Sequence, residues 1–124
     1  MPDRPRRIVV IDDDPVMRTL LDMHLRNAGY EVFIAEDAVD GGHLVMKNLP
    51  DLIICDVDMP YLNGYEFAAA LKTHDTTRDI PVVFLTSSDD PEDAATRLGA
   101  AAHLTKPVRA DRLLEVVGRF AIKE

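Results

Sequence analysis

Ile8-Val9-Val10-Ile11-Asp12-Asp13-Asp14-Pro15 is the stretch that decides the reading of this chain. Four apolar residues in a row, without polar alternation, suit a short strand covered on both faces. Three aspartates end that run. Pro15 suits the first position of a helix, and Asp14 before it can cap the orphan N–H groups there. A strand thus stops, acids follow at once, and a helix begins.

The same pattern repeats along the chain. Further apolar runs are Val32-Phe33-Ile34-Ala35, Leu52-Ile53-Ile54-Cys55, Val82-Val83-Phe84-Leu85 and Ala101-Ala102-His103-Leu104. Longer segments of helical character separate them. In the first, Val16, Leu20 and Leu21 with His24, Leu25 and Ala28 read as one buried stripe, and Gly29 ends the helix in the left-handed conformation. Asp90-Pro91-Glu92-Asp93 opens another helix, its acids favoured by the helix dipole. The second helix is the poorest, because Gly41 and Gly42 each cost about 1 kcal/mol against alanine. Strand–helix alternation predicts an α/β fold, a doubly wound, five-stranded parallel sheet with five helices on its two faces. In such sheets ligands bind beyond the carboxyl ends of the strands, where the strand order reverses.

At 124 residues, 47% hydrophobic and 29% charged, the chain suits one domain with a real core. The expected organisation is a single domain over 1–124, with 1–6 as a lead-in and no further domain. A formal charge of −8 and a pI near 4.9 argue against a nucleic-acid surface, since Arg4, Arg6 and Arg7 make only a small basic cluster. Cys55 is the only cysteine, so an internal disulfide is excluded, and a buried, inert thiol is expected. No apolar stretch approaches the ~20 residues that span a bilayer, and Met1-Pro2-Asp3-Arg4-Pro5 lacks a secretion signal. A cytoplasmic protein without membrane contact is the expectation.

The strand ends carry the chemistry. Asp12-Asp13-Asp14 follows the first run, Asp56 the third, Thr86-Ser87 the fourth and Lys106-Pro107 the fifth. Asp12, Asp13 and Asp56 bring three negative charges together, and Lys106 neutralises one. Like charges ~4 Å apart repel by roughly 4 kcal/mol near a protein surface, which a divalent cation would relieve. An all-oxygen ligand set suits Mg²⁺, which keeps several of its waters. Asp56, alone at the end of a central strand, is the candidate nucleophile toward phosphorus. Lys106 and the Thr86 hydroxyl are placed to bind phosphoryl oxygens.

Ile8 through Asp13, Ile53 through Pro60 with Gly64, Pro81 through Thr86, and Lys106-Pro107 together resemble the response-regulator receiver domain, the CheY-like family of two-component signalling. The resemblance runs from about Arg7 to Arg119. It implies a flavodoxin-like strand order 2-1-3-4-5. It also implies that Asp56 takes a phosphoryl group from a sensor histidine kinase or a histidine phosphotransfer protein. Asp13 and Asp56 would ligate Mg²⁺ directly, the backbone carbonyl of Asp58 would be a third ligand, and Asp12 would act through water. Lys106 would hold the phosphoryl group, Thr86 would be the switch hydroxyl, and Lys106–Pro107 would be cis. A downstream target protein would then read the altered surface. Such a domain is a switch that assists its own phosphorylation and slow dephosphorylation, not an enzyme.

Three positions depart from the family pattern. His103 stands where a switch tyrosine or phenylalanine is frequent, Ser87 where alanine is common, and Asp58 adds an acid at the mouth. Rival readings exist as well. Asp56-Val57-Asp58 is the D-x-D of haloacid-dehalogenase-type phosphatases, although there it follows the first strand. A receiver-like interaction module without phosphorylation is the other. His24, His43, Met17, Met23 and Met46 read as ordinary helix residues, and Tyr61 and Tyr65 as packing or rim.

Overall fold

The computed structural model describes residues 5–59, 63–87 and 101–121. Five strands form within them: β1 (Arg7–Ile11), β2 (Glu31–Ala35), β3 (Leu52–Asp56), β4 (Val82–Thr86) and β5 (Ala102–Thr105). Four helices accompany them: α1 (Pro15–Asn27), α2 (Ala38–Asn48), α3 (Gly64–Leu71) and α4 (Ala110–Phe120). The helix expected to open at Asp90 lies outside the described residues. All strand pairs are parallel, in the order β2-β1-β3-β4-β5. That is the flavodoxin-like order, and its reversal lies between β1 and β3.

Register explains the two cores. Side chains alternate across a strand, so in-register neighbours share a face. Ile8 and Val10 of β1 join Leu52, Ile54, Val83, Leu85 and Leu104 beneath Leu21 and Leu25 of α1 and Leu113, Val116 and Val117 of α4. Val9 and Ile11 join Ile53, Cys55, Val82 and Phe84 on the other face, beneath Val45 of α2 and Phe67, Ala68 and Leu71 of α3. Every residue of β3 and β4 is buried, which is why their sequences lack alternation. β2 lies at the edge, with Glu31 exposed. There Arg26 Nη2 donates to the Val32 carbonyl at 2.8 Å and occupies an acceptor on the open edge.

The start of α1 is as expected: Asp14 accepts from the Val16 N–H at 2.9 Å, and Gly29 beyond the helix has φ 98°. The buried stripe is not. Val16 and Leu20 are 66% and 42% exposed, while Met17 packs against the core beside Leu21 and Leu25. One residue is a 100° turn of the helix, so Met17, Leu21 and Leu25 can face the sheet only with Val16 and Leu20 turned away. Met23 and Met46 are exposed as well. Gly41 accounts for the weak second helix, because a Cβ there would stand 2.5 Å from Ile11 Cδ1. The glycine lets α2 lie directly on β1, and this contact outweighs its helix cost. Tyr65 packs edge-on against Phe84 at 4.6 Å, whereas Tyr61 lies outside the described residues.

Candidate functional site

The carboxyl ends of β1, β3, β4 and β5 meet on one edge of the sheet, and their terminal residues carry the polar groups. Asp56 and Thr86 are themselves the last residues of their strands, and Asp12 follows β1 directly. Asp12, Asp13 and Asp56 each offer a carboxylate oxygen within 4.8 Å of the others. Asp12 and Asp56 are 0% and 1% exposed, so the backbone walls of the sheet remove most of their water.

Lys106 enters from the loop after β5, held by its own N–H, which donates 2.8 Å to the Thr86 carbonyl. Its Nζ stands 3.3 Å from both Asp12 Oδ2 and Asp56 Oδ2, a single cation between two buried anions. The Lys106–Pro107 bond is cis. Asp56 Oδ1 accepts the Asp58 N–H at 3.0 Å. Thr86 is buried one residue beyond Leu85, the in-register partner of Asp56, so its position borders the acceptor carboxylate.

Electrostatics follow from that packing. Burial first, then Asp12, pushes the Asp56 carboxyl up to about 6, against the pull of the Asp58 N–H and Lys106. Burial pushes the Lys106 ammonium down, but Asp12 and Asp56 more than offset this and hold it above its ordinary value. Cys55 is buried; burial first, then Asp56 and Asp12, drive its thiol upward, which makes it inert.

The acids also fit a cation. Asp12 Oδ2 is buried with no hydrogen-bond partner among the described residues, and Lys106 meets it only as an ion pair. A buried carboxylate oxygen left in this state is costly unless a further positive charge reaches it. Three clustered carboxylates with no thiolate or imidazole form a hard oxygen donor set of the kind Mg²⁺ takes. Glu36, Asp37 and Asp40 also cluster, but all are exposed or near the surface, and Asp37 caps α2 through the Asp40 N–H.

Asp58 is exposed, and its Oδ2 stands 3.5 Å from Ser87 Oγ, so two of the three departures from the family pattern sit together at the mouth. His103 is half-buried beside Phe84 on β5, and it lines a cavity of about 220 Å³ with Pro107, Val108, Arg109 and Arg112. Its ring is not part of the acid cluster.

Two residues of the site were missed from sequence. Arg18 of α1 reaches back to the Asp12 carbonyl, and nothing in an ordinary helix arginine signals this. Gly64 was noted only for its place in a pattern. A Cβ at this position would run into the Asp56 carbonyl oxygen, so only glycine lets α3 begin directly against the acceptor strand.

A doubly wound sheet with a buried acid cluster, a lysine and a threonine at the carboxyl ends of its strands has the build of a phosphorylation-type receiver. Residues 8–118 match the response regulator receiver domain family, and the chain belongs to it. Protein PilH of Pseudomonas aeruginosa is 35% identical over 113 residues, covering 90% of this chain and 93% of that protein. The transcriptional regulator RpaA of Synechocystis, described as DNA-binding, is 36% identical over 110 residues, 87% of this chain. The chain spans 46% of RpaA. A putative response regulator from Chloroflexus aurantiacus, solved as a crystal structure, superposes with a TM-score of 0.91 at 32% identity, covering 97% of this chain and 100% of that one. This chain is therefore a two-component receiver domain, a signalling switch, and the phosphatase reading is set aside. No helix among the described residues is long and apolar enough to cross a membrane.

Proposed function

We propose that Asp56 is the phosphoacceptor, that Asp12, Asp13 and Asp56 hold Mg²⁺ with the Asp58 carbonyl as a further ligand, and that Lys106 and Thr86 bind the transferred group. The observation that carries this reading is the Lys106 ammonium 3.3 Å from both Asp12 and Asp56, beside a buried Asp12 oxygen that lacks a hydrogen bond.

In the reaction, a carboxylate oxygen of Asp56 attacks phosphorus in a phosphohistidine of the donor. The P–N bond breaks, the imidazole leaves with its electron pair, and an acyl phosphate forms on Asp56. Lys106 stays within reach of the Asp56 oxygen throughout and offsets charge that grows on the phosphoryl oxygens. The Asp58 N–H fixes one Asp56 oxygen, leaving the other, beside Lys106, as the attacking atom. Mg²⁺, when bound, would neutralise the acid cluster and orient the phosphoryl group. Thr86 then reports the new charge by turning its hydroxyl toward it. His103, half-buried on β5 beside Phe84, keeps its outward place next to that movement and forms part of the outer surface that a downstream target would read.

The donor in this reading is a sensor histidine kinase or a histidine phosphotransfer protein in the cytoplasm, and residues 1–124 act as one receiver unit. The acidic charge of −8 favours protein partners over nucleic acid. Incubation with acetyl phosphate and Mg²⁺ should add the mass of one phosphoryl group, and Asp56→Asn should abolish the gain. An unchanged mass for the parent protein would leave a receiver-like interaction module without phosphorylation. Labelling that persists in Asp56→Asn would move the acceptor elsewhere. Slow return to the unmodified mass is expected, without turnover of small phosphoesters.

A further inference from the structure

Arg18 lies in the first turns of α1, and the reaction above makes no use of it. Its side chain is only 20% exposed. Nη1 donates 2.8 Å to the Asp12 carbonyl, and Nη2 stands 3.9 Å from Glu36 Oε2, just after β2. The Asp12 carbonyl belongs to the peptide that joins Asp12 to Asp13, the two neighbouring acids of the cluster. The same stretch is held on two other sides. The Asp12 N–H donates 3.2 Å to the Ala35 carbonyl of β2, and the Asp14 N–H donates 2.9 Å to Asp12 Oδ1.

We propose that Arg18 is a positioning residue for the cation site, clamping the Asp12–Asp13 peptide so that both carboxylates point at one ion together with Asp56. The inference rests on the reading of this cluster as a metal site. A peptide free to rotate about its neighbouring dihedrals swings the two acids apart, and their mutual repulsion favours that motion. A guanidinium that grips the carbonyl removes this freedom before any ion arrives. Groups that orient metal ligands typically hold about 10–100-fold of the metal affinity. Arg18 acts through backbone, so the lower end of that range is expected.

Charge works in the opposite sense. A permanent positive charge beside the cluster repels a cation, so losing the charge alone would tighten Mg²⁺ binding. The sign of the change therefore separates a clamp from a bystander. Arg26 provides a matched control: it lies on the same helix and donates 2.8 Å to a strand carbonyl, that of Val32, but at the opposite end of β2 from the site.

The experiment is a Mg²⁺ titration of the parent protein, Arg18→Gln, Arg18→Lys and Arg26→Gln, followed by NMR of the Asp13 and Asp56 amides. Thermal melts of the metal-free proteins run alongside. Arg18→Gln should raise the Kd about tenfold. Arg18→Lys, which keeps the charge but loses the planar fork, should raise it about threefold. Arg26→Gln should destabilise the protein comparably yet leave the Kd within about twofold, since it lies outside the metal's surroundings. Equal or tighter binding by Arg18→Gln, or equal loss in Arg26→Gln, would overturn the proposal. If Arg18→Gln does not fold, Arg18→Lys decides, and parent-like affinity there overturns it. A parent protein that shows no Mg²⁺-dependent shifts removes the metal site itself, and the clamp with it.

Discussion

Replacing Asp56 by asparagine should make the metal-free protein more stable at neutral pH, although it destroys the proposed acceptor. Asp56 is 1% exposed, and burial with Asp12 lifts its carboxyl from an ordinary 3.8 to about 6. The folded state therefore binds this proton more tightly than the unfolded chain. The contribution of Asp56 to stability is fully present below pH 3.8, fades as pH rises, and is lost above about pH 6. At pH 7 the folded protein carries a penalty of roughly 3 kcal/mol for holding this carboxylate ionised, the equivalent of the upward displacement at 1.36 kcal/mol per pKa unit. Asparagine imitates the protonated form. Its side-chain oxygen keeps the bond from the Asp58 N–H, and the lost attraction to Lys106 is already weighed in the balance that sets the carboxyl near 6. We expect Asp56→Asn to gain about 2–3 kcal/mol at pH 7, which raises Tm by roughly 8–12 °C for a domain of this size. Thermal melts by circular dichroism in EDTA at pH 7, 5.5 and 4 test this. The gain should shrink steadily and vanish near pH 4. Saturating Mg²⁺ should then favour the parent protein, because only an intact ligand set gains stability by binding. A variant that melts lower than the parent at pH 7 in EDTA, or a gain independent of pH, would refute the burial argument.

Other outcomes follow from the same geometry. Asp13→Ala should weaken Mg²⁺ binding far more than Asp14→Ala, which should instead cost about 1 kcal/mol of stability through the lost cap; calorimetry and melts separate the two. Gly64→Ala should cost at least 2 kcal/mol and slow acceptance of a phosphoryl group, because the added Cβ meets the Asp56 carbonyl oxygen; denaturant unfolding and intact-mass kinetics report the two effects. Asp58→Asn should speed loading from acetyl phosphate a few-fold, since an exposed acid at the mouth repels an anionic donor by less than ~1 kcal/mol. That gain should shrink with salt, and equal rates at low and high salt would leave Asp58 with a backbone role only.

The strand-end acids were legible because their setting is local: an apolar run that stops at Asp12, at Asp56 or at Thr86 marks both a buried strand and its functional end. The same holds for the Asp14 cap, whose partner is two residues away. Strand order came from resemblance, since five similar apolar runs have no way of announcing their neighbours. Only packing decided the rest. The choice between Met17 and Val16 on α1 depends on the rotation of a helix against a sheet, and both residues are apolar enough for either role. Arg18 on the Asp12 carbonyl, Gly41 against Ile11 and Gly64 against Asp56 are contacts between elements. The raised carboxyl of Asp56 is of the same kind, for it arises from burial in the assembled sheet and from Asp12 at the end of β1, against the pull of Lys106, rather than from any neighbour in sequence. Periodicity and capping act over one or two helical turns, so the sequence alone determines which segments form and where their polar ends fall. Which groups then touch is decided by the twist and register of the assembled sheet, which no short stretch of chain contains.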